Sequence, residues 1–126
     1  MNPEINQLTE QIIGAAIDVH KDLGPGLLES AYQLALAHEF KLRQLSFEEQ
    51  RVCPVQYKGL QIADAYRMDF LVENKVVVEL KAVDALLDVH EAQLLTYLRF
   101  THCRLGLLFN FHSTVLTKHG LRRLAL

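Results

Sequence analysis

Residues 66–83 read YRMDFLVENKVVVELKAV, and the pairing of the two halves of this stretch decides the fold. Tyr66 to Val72 alternates in polarity, and so does Val76 to Lys81, with Glu73-Asn74-Lys75 between them. That is the pattern of a β-hairpin. On the second strand Val76, Val78 and Leu80 share a purely apolar face, while Val77, Glu79 and Lys81 share the other. On the first strand Met68, Phe70 and Val72 form the apolar set, and Arg67, Asp69 and Leu71 the opposite one. A two-residue turn at Asn74-Lys75 would pair Phe70 with Glu79 and set the apolar faces on opposite sides. A three-residue turn from Glu73 to Lys75 pairs Asp69 with Glu79 and Met68 with Leu80, so both apolar sets fall together. Hydrophobic patterning fixes register, so the three-residue turn is expected, with Asn74 suited to a left-handed position.

In that register the Cβ atoms of Asp69 and Glu79 lie roughly 5 Å apart. Two bare carboxylates at that distance repel. A magnesium ion between them removes the repulsion and needs about 2.1 Å to each oxygen. Lys81 lies about 6–7 Å further along the same face. From there it reaches a water or phosphate oxygen beside the metal. A metal, two carboxylates and a lysine are equipment for phosphodiester hydrolysis. The spacing D-x9-E-x-K alone is common, and for an arbitrary match a solvated strand face is the better explanation.

Outward from the hairpin, Glu4 to Leu23 carries Ile5, Leu8, Ile12, Ile13, Ala16, Ile17 and Val19 at helical spacing. Gly24-Pro25-Gly26 breaks it, and a second helix is expected from Leu27 to about Gln44. Phe47 to Val52 and Val55 to Tyr57 read as strand interrupted by Pro54, with a turn from Lys58 to Asp64. Asp88-Val89-His90-Glu91 resembles a capping box that opens a helix running to about Thr101. Arg104 to Phe111 reads as a buried strand and Gly120 to Ala125 as a short last one. The order is α-α-β-β-β-α-β-β, an α/β chain with a mixed sheet and helices packed on it. Residues 1–126 are expected to form one domain.

The bulk properties narrow the function. Half of the 126 residues are hydrophobic and 22% are charged. No window approaches the roughly 20 apolar residues of a membrane span, and MNPEINQLTEQ lacks the order of a secretory signal. A cytoplasmic protein without membrane contact is expected. Cys53 and Cys103 form no CxxC pair, so neither a disulfide framework nor a thiolate zinc site is expected. The net charge of −2 argues against a protein that coats itself in nucleic acid. A bound divalent cation would supply positive charge where a phosphate must sit.

Gly26-Leu27-Leu28-Glu29-Ser30-Ala31-Tyr32 reads G-x-x-E-x-x-Y. With VHKDLGPGLLESAY, the R-x-D of Arg67 and Asp69, VVVELKAV and HEAQLLTYLR, the chain resembles the GxxExxY proteins, a branch of the PD-(D/E)XK nuclease superfamily. The resemblance spans nearly the whole chain. It implies a restriction-endonuclease-like core, with a four-stranded mixed sheet flanked by helices. It further implies Asp69 and Glu79 as ligands of Mg2+ (or Mn2+), Lys81 as the catalytic lysine, and Glu29 as a further carboxylate from the first core helix. Gln93-x-x-x-Tyr97 is similar to the Q-x-x-x-Y element of RecB-like exonucleases, whose residues contact DNA or organise the site. Met68 stands where many members have Pro.

Spacing agrees in part. Glu29 and Tyr32 share a helix face, as do Gln93 and Tyr97. Glu29 also suits the first turn of a helix by its charge alone. Tyr32 is expected to pack, with its hydroxyl bonded to the site. His20 and His90 are read as surface or core residues before metal ligands, although His90 shares a face with Gln93. His102, His112 and His119 show no ligand spacing. Gly24-Pro25-Gly26 lacks the lysine and preceding strand of a phosphate cradle and reads as an interhelical turn. Two functions remain open: a magnesium-dependent nuclease on DNA, with RNA the second choice, and a non-catalytic nucleic-acid- or protein-binding module of the same fold. A homodimer would extend the small surface of either.

Overall fold

The computed structural model describes residues 3–62 and 66–126. Two helices lead, α1 (Pro3–Leu23) and α2 (Glu29–Leu42). Strands β1 (Phe47–Val52), β2 (Val55–Tyr57), β3 (Leu60–Ile62), β4 (Arg67–Val72) and β5 (Val76–Lys81) follow, then α3 (Asp88–Thr101), β6 (Leu105–Asn110) and β7 (Leu121–Ala125). The main sheet has five strands in the order β1-β4-β5-β6-β7, where the resemblance implied a core of four. Only β5 and β6 run parallel, because α3 carries the chain back across the sheet between them. This mixed sheet between helices is a restriction-endonuclease-like architecture.

The helices cover both faces. Ile12, Ala15 and Ala16 of α1 and Tyr32, Leu36 and Phe40 of α2 pack on Phe70, Val72, Val76, Val78 and Leu80. On the other face Leu94, Tyr97 and Leu98 of α3 pack on Val77, Leu71 and Leu108. Central β5 and β6 are therefore apolar on both sides, and all six residues of β6 are buried. Gly106 lets α3 come close: a Cβ there would lie 2.7 Å from Leu94 Cδ1.

The hairpin has the expected register. Val72 pairs with Val76, Leu71 with Val77 and Phe70 with Val78, and the turn holds Glu73 and Asn74 in the left-handed region. The Glu73 carboxylate accepts hydrogen bonds from the Ser46 hydroxyl and from the Ser46 N–H at 2.6 Å, tying the turn to the start of β1 and lowering the Glu73 pKa.

Four local features differ from the sequence reading. Met68 does not join Phe70 and Val72; it lies under α3 with Leu71 and Val77. The strand changes face at Asp69, opposite Gln50, whose φ is +49° and which with Asp69 drops out of the β1–β4 ladder. The expected turn at Lys58 to Asp64 is instead a tight one at Lys58 and Gly59, both with positive φ. It leads into β3, which pairs with β2 as a separate small sheet; residues 63–64 of the expected turn lie outside the described residues. Helix α3 is capped by Leu87 and His90 rather than by Asp88 and Glu91: Leu87 N–H donates to His90 Nδ1 at 3.0 Å. A π-helical turn, Leu116–Gly120, precedes β7. No helix among the described residues is long and apolar enough to cross a membrane.

Candidate functional site

The ordinary β4–β5 pairing stops at Phe70 and Val78, and side chains take over. Asp69 N–H donates to Glu79 Oε2 at 2.7 Å, and Leu80 N–H donates to Asp69 Oδ2 at 2.8 Å. Each carboxylate thus binds the backbone of the opposite strand. This fixes both side chains where strand ends would otherwise fray.

Glu79 is 5% exposed. Burial, and next the charge of Asp69 beside it, push its carboxyl up from the ordinary 4.5 to about 9; a side-chain hydrogen bond with Asp69 adds to the rise, while the Asp69 N–H and Lys81 oppose it. At neutral pH the metal-free Glu79 carboxyl is therefore protonated. Tyr97, from α3, is 1% exposed. Its hydroxyl is held well above the ordinary phenol range by burial and then by Glu79. Gln93 Nε2 donates to that hydroxyl at 2.9 Å, so the two helix residues meet each other, with Tyr97 within electrostatic reach of Glu79 and Asp69. Cys53 lies at the same buried edge, its thiol raised by burial and then by Glu79. It is a packed thiol at the back of the site.

Glu29 arrives from the first turn of α2. Its residue surface is largely open, yet its carboxyl end is set among protein atoms. Burial raises its pKa; Lys81 opposes this, Asp69 adds to it, and a backbone hydrogen bond from Ala82 and the nearby His90 pull it down. Asp69, Lys81 and His90 thus all lie within electrostatic reach of Glu29. Glu29 is bonded to Ala82, the residue after Lys81. Among the described residues no three of His, Cys, Asp and Glu stand in metal-holding geometry, so Glu29 does not close a cage with Asp69 and Glu79. Two carboxylates nevertheless suit magnesium, which keeps several waters and takes one or two carboxylates. The like-charge strain between Asp69 and ionised Glu79 is what a divalent cation relieves.

Three residues absent from the sequence reading complete the surroundings. Gln50 Nε2 donates to Asp69 Oδ1 at 3.1 Å. Gln33 Nε2 reaches the Asp69 carbonyl at 3.3 Å. Gln33 follows Glu29 by one helical turn, a spacing that could have drawn notice; Gln50 sits in an exposed polar strand and offers no such signal. Buried Asn110 fixes the chain leaving β5. Its Nδ2 donates to Val83 O at 2.9 Å, and its Oδ1 accepts from Val83 N–H at 3.1 Å.

Tyr32 does not reach the carboxylates. Its hydroxyl accepts from the Gly26 and Leu27 N–H groups at 3.0 and 3.1 Å and donates to the Gly24 carbonyl. Its ring stacks on Phe111 with centroids 4.6 Å apart. Gly26 and Tyr32 thus build the turn that presents Glu29, with Gly24 at φ +71° and Gly26 at φ +152°. His20 is a core residue, its Nε2 2.7 Å from the Ser113 carbonyl.

No curated protein and no solved structure matches the chain. The family model of the PD-(D/E)XK nuclease superfamily matches residues 6–124.

Proposed function

The chain belongs to the PD-(D/E)XK nuclease superfamily, and from that premise we propose that it is a single nuclease-type domain that hydrolyses phosphodiester bonds in nucleic acid, DNA before RNA. The observation that carries this reading is the pairing of half-buried Asp69 with buried Glu79, each carboxylate bound to the other strand's backbone, with Lys81 on the same side. Asp69 and Glu79 would hold a divalent cation, Mg2+ or Mn2+, with the Leu80 carbonyl as a further candidate ligand. When bound, the cation polarises the phosphoryl oxygen and lowers the pKa of a coordinated water. Lys81 orients the attacking water and stabilises charge that develops on the phosphate. Glu29 steadies the Lys81–Ala82 backbone and bonds the outer waters of the site. Gln93 and Tyr97 cover the buried side of Glu79 and keep it oriented, and half-buried Gln93 faces the substrate strand.

The test is a panel of single-stranded DNA, duplex DNA and RNA, each incubated with the purified protein in Mg2+ or Mn2+. Cleavage that disappears with chelator supports the reading; no cleavage of any substrate in either metal rejects it. One observation favours a second reading, a non-catalytic module of the same fold: no three-ligand group stands ready among the described residues. Calorimetry separates the two, because the module takes up no Mg2+ or Mn2+ at millimolar concentration.

A further inference from the structure

Strands β1 and β4 keep one register from Phe47 opposite Val72 to Val52 opposite Arg67. Glu49 pairs with Phe70 and Arg51 with Met68, yet Gln50 and Asp69 between them are left out of the ladder. Gln50 lies in the left-handed region, at φ +49°. Glycine and asparagine tolerate that conformation; glutamine has no local reason to adopt it in mid-strand. The distortion has a visible result. The Gln50 amide swings onto Asp69 and donates to Oδ1 at 3.1 Å, while Leu80 N–H holds Oδ2 at 2.8 Å. The Asp69 carboxylate is thereby gripped at both oxygens, and Met68 beyond it turns under α3. From α2, Gln33 Nε2 braces the same place, 3.3 Å from both the Asp69 carbonyl and Glu49 Oε2. Backbone strain in an otherwise regular strand points to a function when the surrounding structure holds it in place.

We propose that Gln50 is a positioning residue whose left-handed backbone is kept in order to aim its amide at Asp69 and fix that carboxylate toward the cation. This rests on the reading of Asp69 as a metal ligand. Gln50 touches neither substrate nor reacting atoms; it acts through Asp69, and the amide, not the polarity of the surface, is what matters. A ligating carboxylate that loses its orienting hydrogen bond binds metal about 10–100-fold more weakly.

Two variants separate the amide from the backbone. Gln50→Gly removes the amide and also the strain; Gln50→Met removes the amide but keeps the chain length and the strain. Calorimetry with Mn2+ on wild-type protein and both variants gives the affinity, and thermal melts of the metal-free forms give the stability. The expected result is a Mn2+ affinity about 10–100-fold lower in both variants, with the metal-free Gln50→Gly protein melting at or above the wild-type temperature because glycine adopts φ +49° freely. A purely structural Gln50 would lower stability and leave the affinity in place. Wild-type affinity in either variant overturns the assignment, and so does a Gln50→Gly protein that melts below wild type. A wild-type protein that binds no Mn2+ at millimolar concentration rejects the metal site itself, and Gln50's role with it.

Discussion

Replacing Glu79 with Gln should make the metal-free protein more stable at neutral pH. The folded pKa of Glu79, about 9, stands above its ordinary 4.5. The folded chain therefore holds this proton more tightly than the unfolded chain does. Stability from that proton is fully present below about pH 4.5 and is lost as pH rises toward about 9. At pH 7 the loss spans about 2.5 pH units at about 1.36 kcal/mol each, or about 3 kcal/mol. A Gln at this position has no proton to release. Its amide oxygen still accepts from Asp69 N–H, and its amide nitrogen faces the Asp69 carboxylate as a donor. The variant should thus exceed wild type by about 3 kcal/mol at pH 7, or about 10 °C in Tm for a chain of this size. The advantage should shrink to nothing near pH 4.5. Urea titrations of both proteins in chelator at pH 5 and pH 7 measure it, and the difference between the two proteins cancels the titrating groups remote from residue 79. A variant no more stable than wild type at pH 7, or an advantage that does not change with pH, would refute the assignment of a proton to buried Glu79. Added Mg2+ should reverse the ranking, since only wild type gains linkage stabilisation from the cation.

Three further outcomes follow from the contacts around the pair. Lys81→Ala should slow DNA cleavage in Mg2+ by about 10²–10³-fold, measured as kcat on an end-labelled substrate, with little change in Tm because Lys81 is only half-buried. Tyr32→Phe strips the hydroxyl from the Gly26 and Leu27 N–H groups and should cost about 1–3 kcal/mol in denaturant unfolding. Asn110→Ala frees both polar groups of Val83 and should cost a similar 1–3 kcal/mol or so; cleavage should fall more than stability does, because the chain next to Lys81 and Ala82 loses its clamp.

Much of this architecture was legible in the residues. The alternation of 66–81 admits one register that puts the apolar faces together, and the three-residue turn obeys it. Burial alone chose that pairing, which is why sequence sufficed. The same logic fails at Met68, since alternation presumes an unbroken ladder and the β1–β4 ladder lapses where left-handed Gln50 faces Asp69. Strand β3 was hidden because Lys58-Gly59 forms a tight turn within a short, mostly exposed hairpin that has little apolar signal to reveal it. The cap of α3 was misplaced because a ring nitrogen, His90 Nδ1, does the work assigned to a carboxylate. Tyr32 packs as its spacing implies, but its hydroxyl serves three backbone groups of the preceding turn rather than the site. Sequence spacing placed it on the Glu29 face; only coordinates show how far along that face the hydroxyl reaches. The Gln93–Tyr97 pair could be drawn from helical spacing, and the two side chains do meet.

The central claim is that the Asp69–Glu79 pair cuts nucleic acid through a divalent cation. The most direct test is the initial rate at which an end-labelled DNA is cleaved in Mg2+ by wild-type protein and by Asp69→Ala, prepared side by side and shown to be equally folded. The account predicts cleavage by wild type that chelator stops, and a loss of at least about 100-fold in the variant. Equal rates from the two proteins would contradict it.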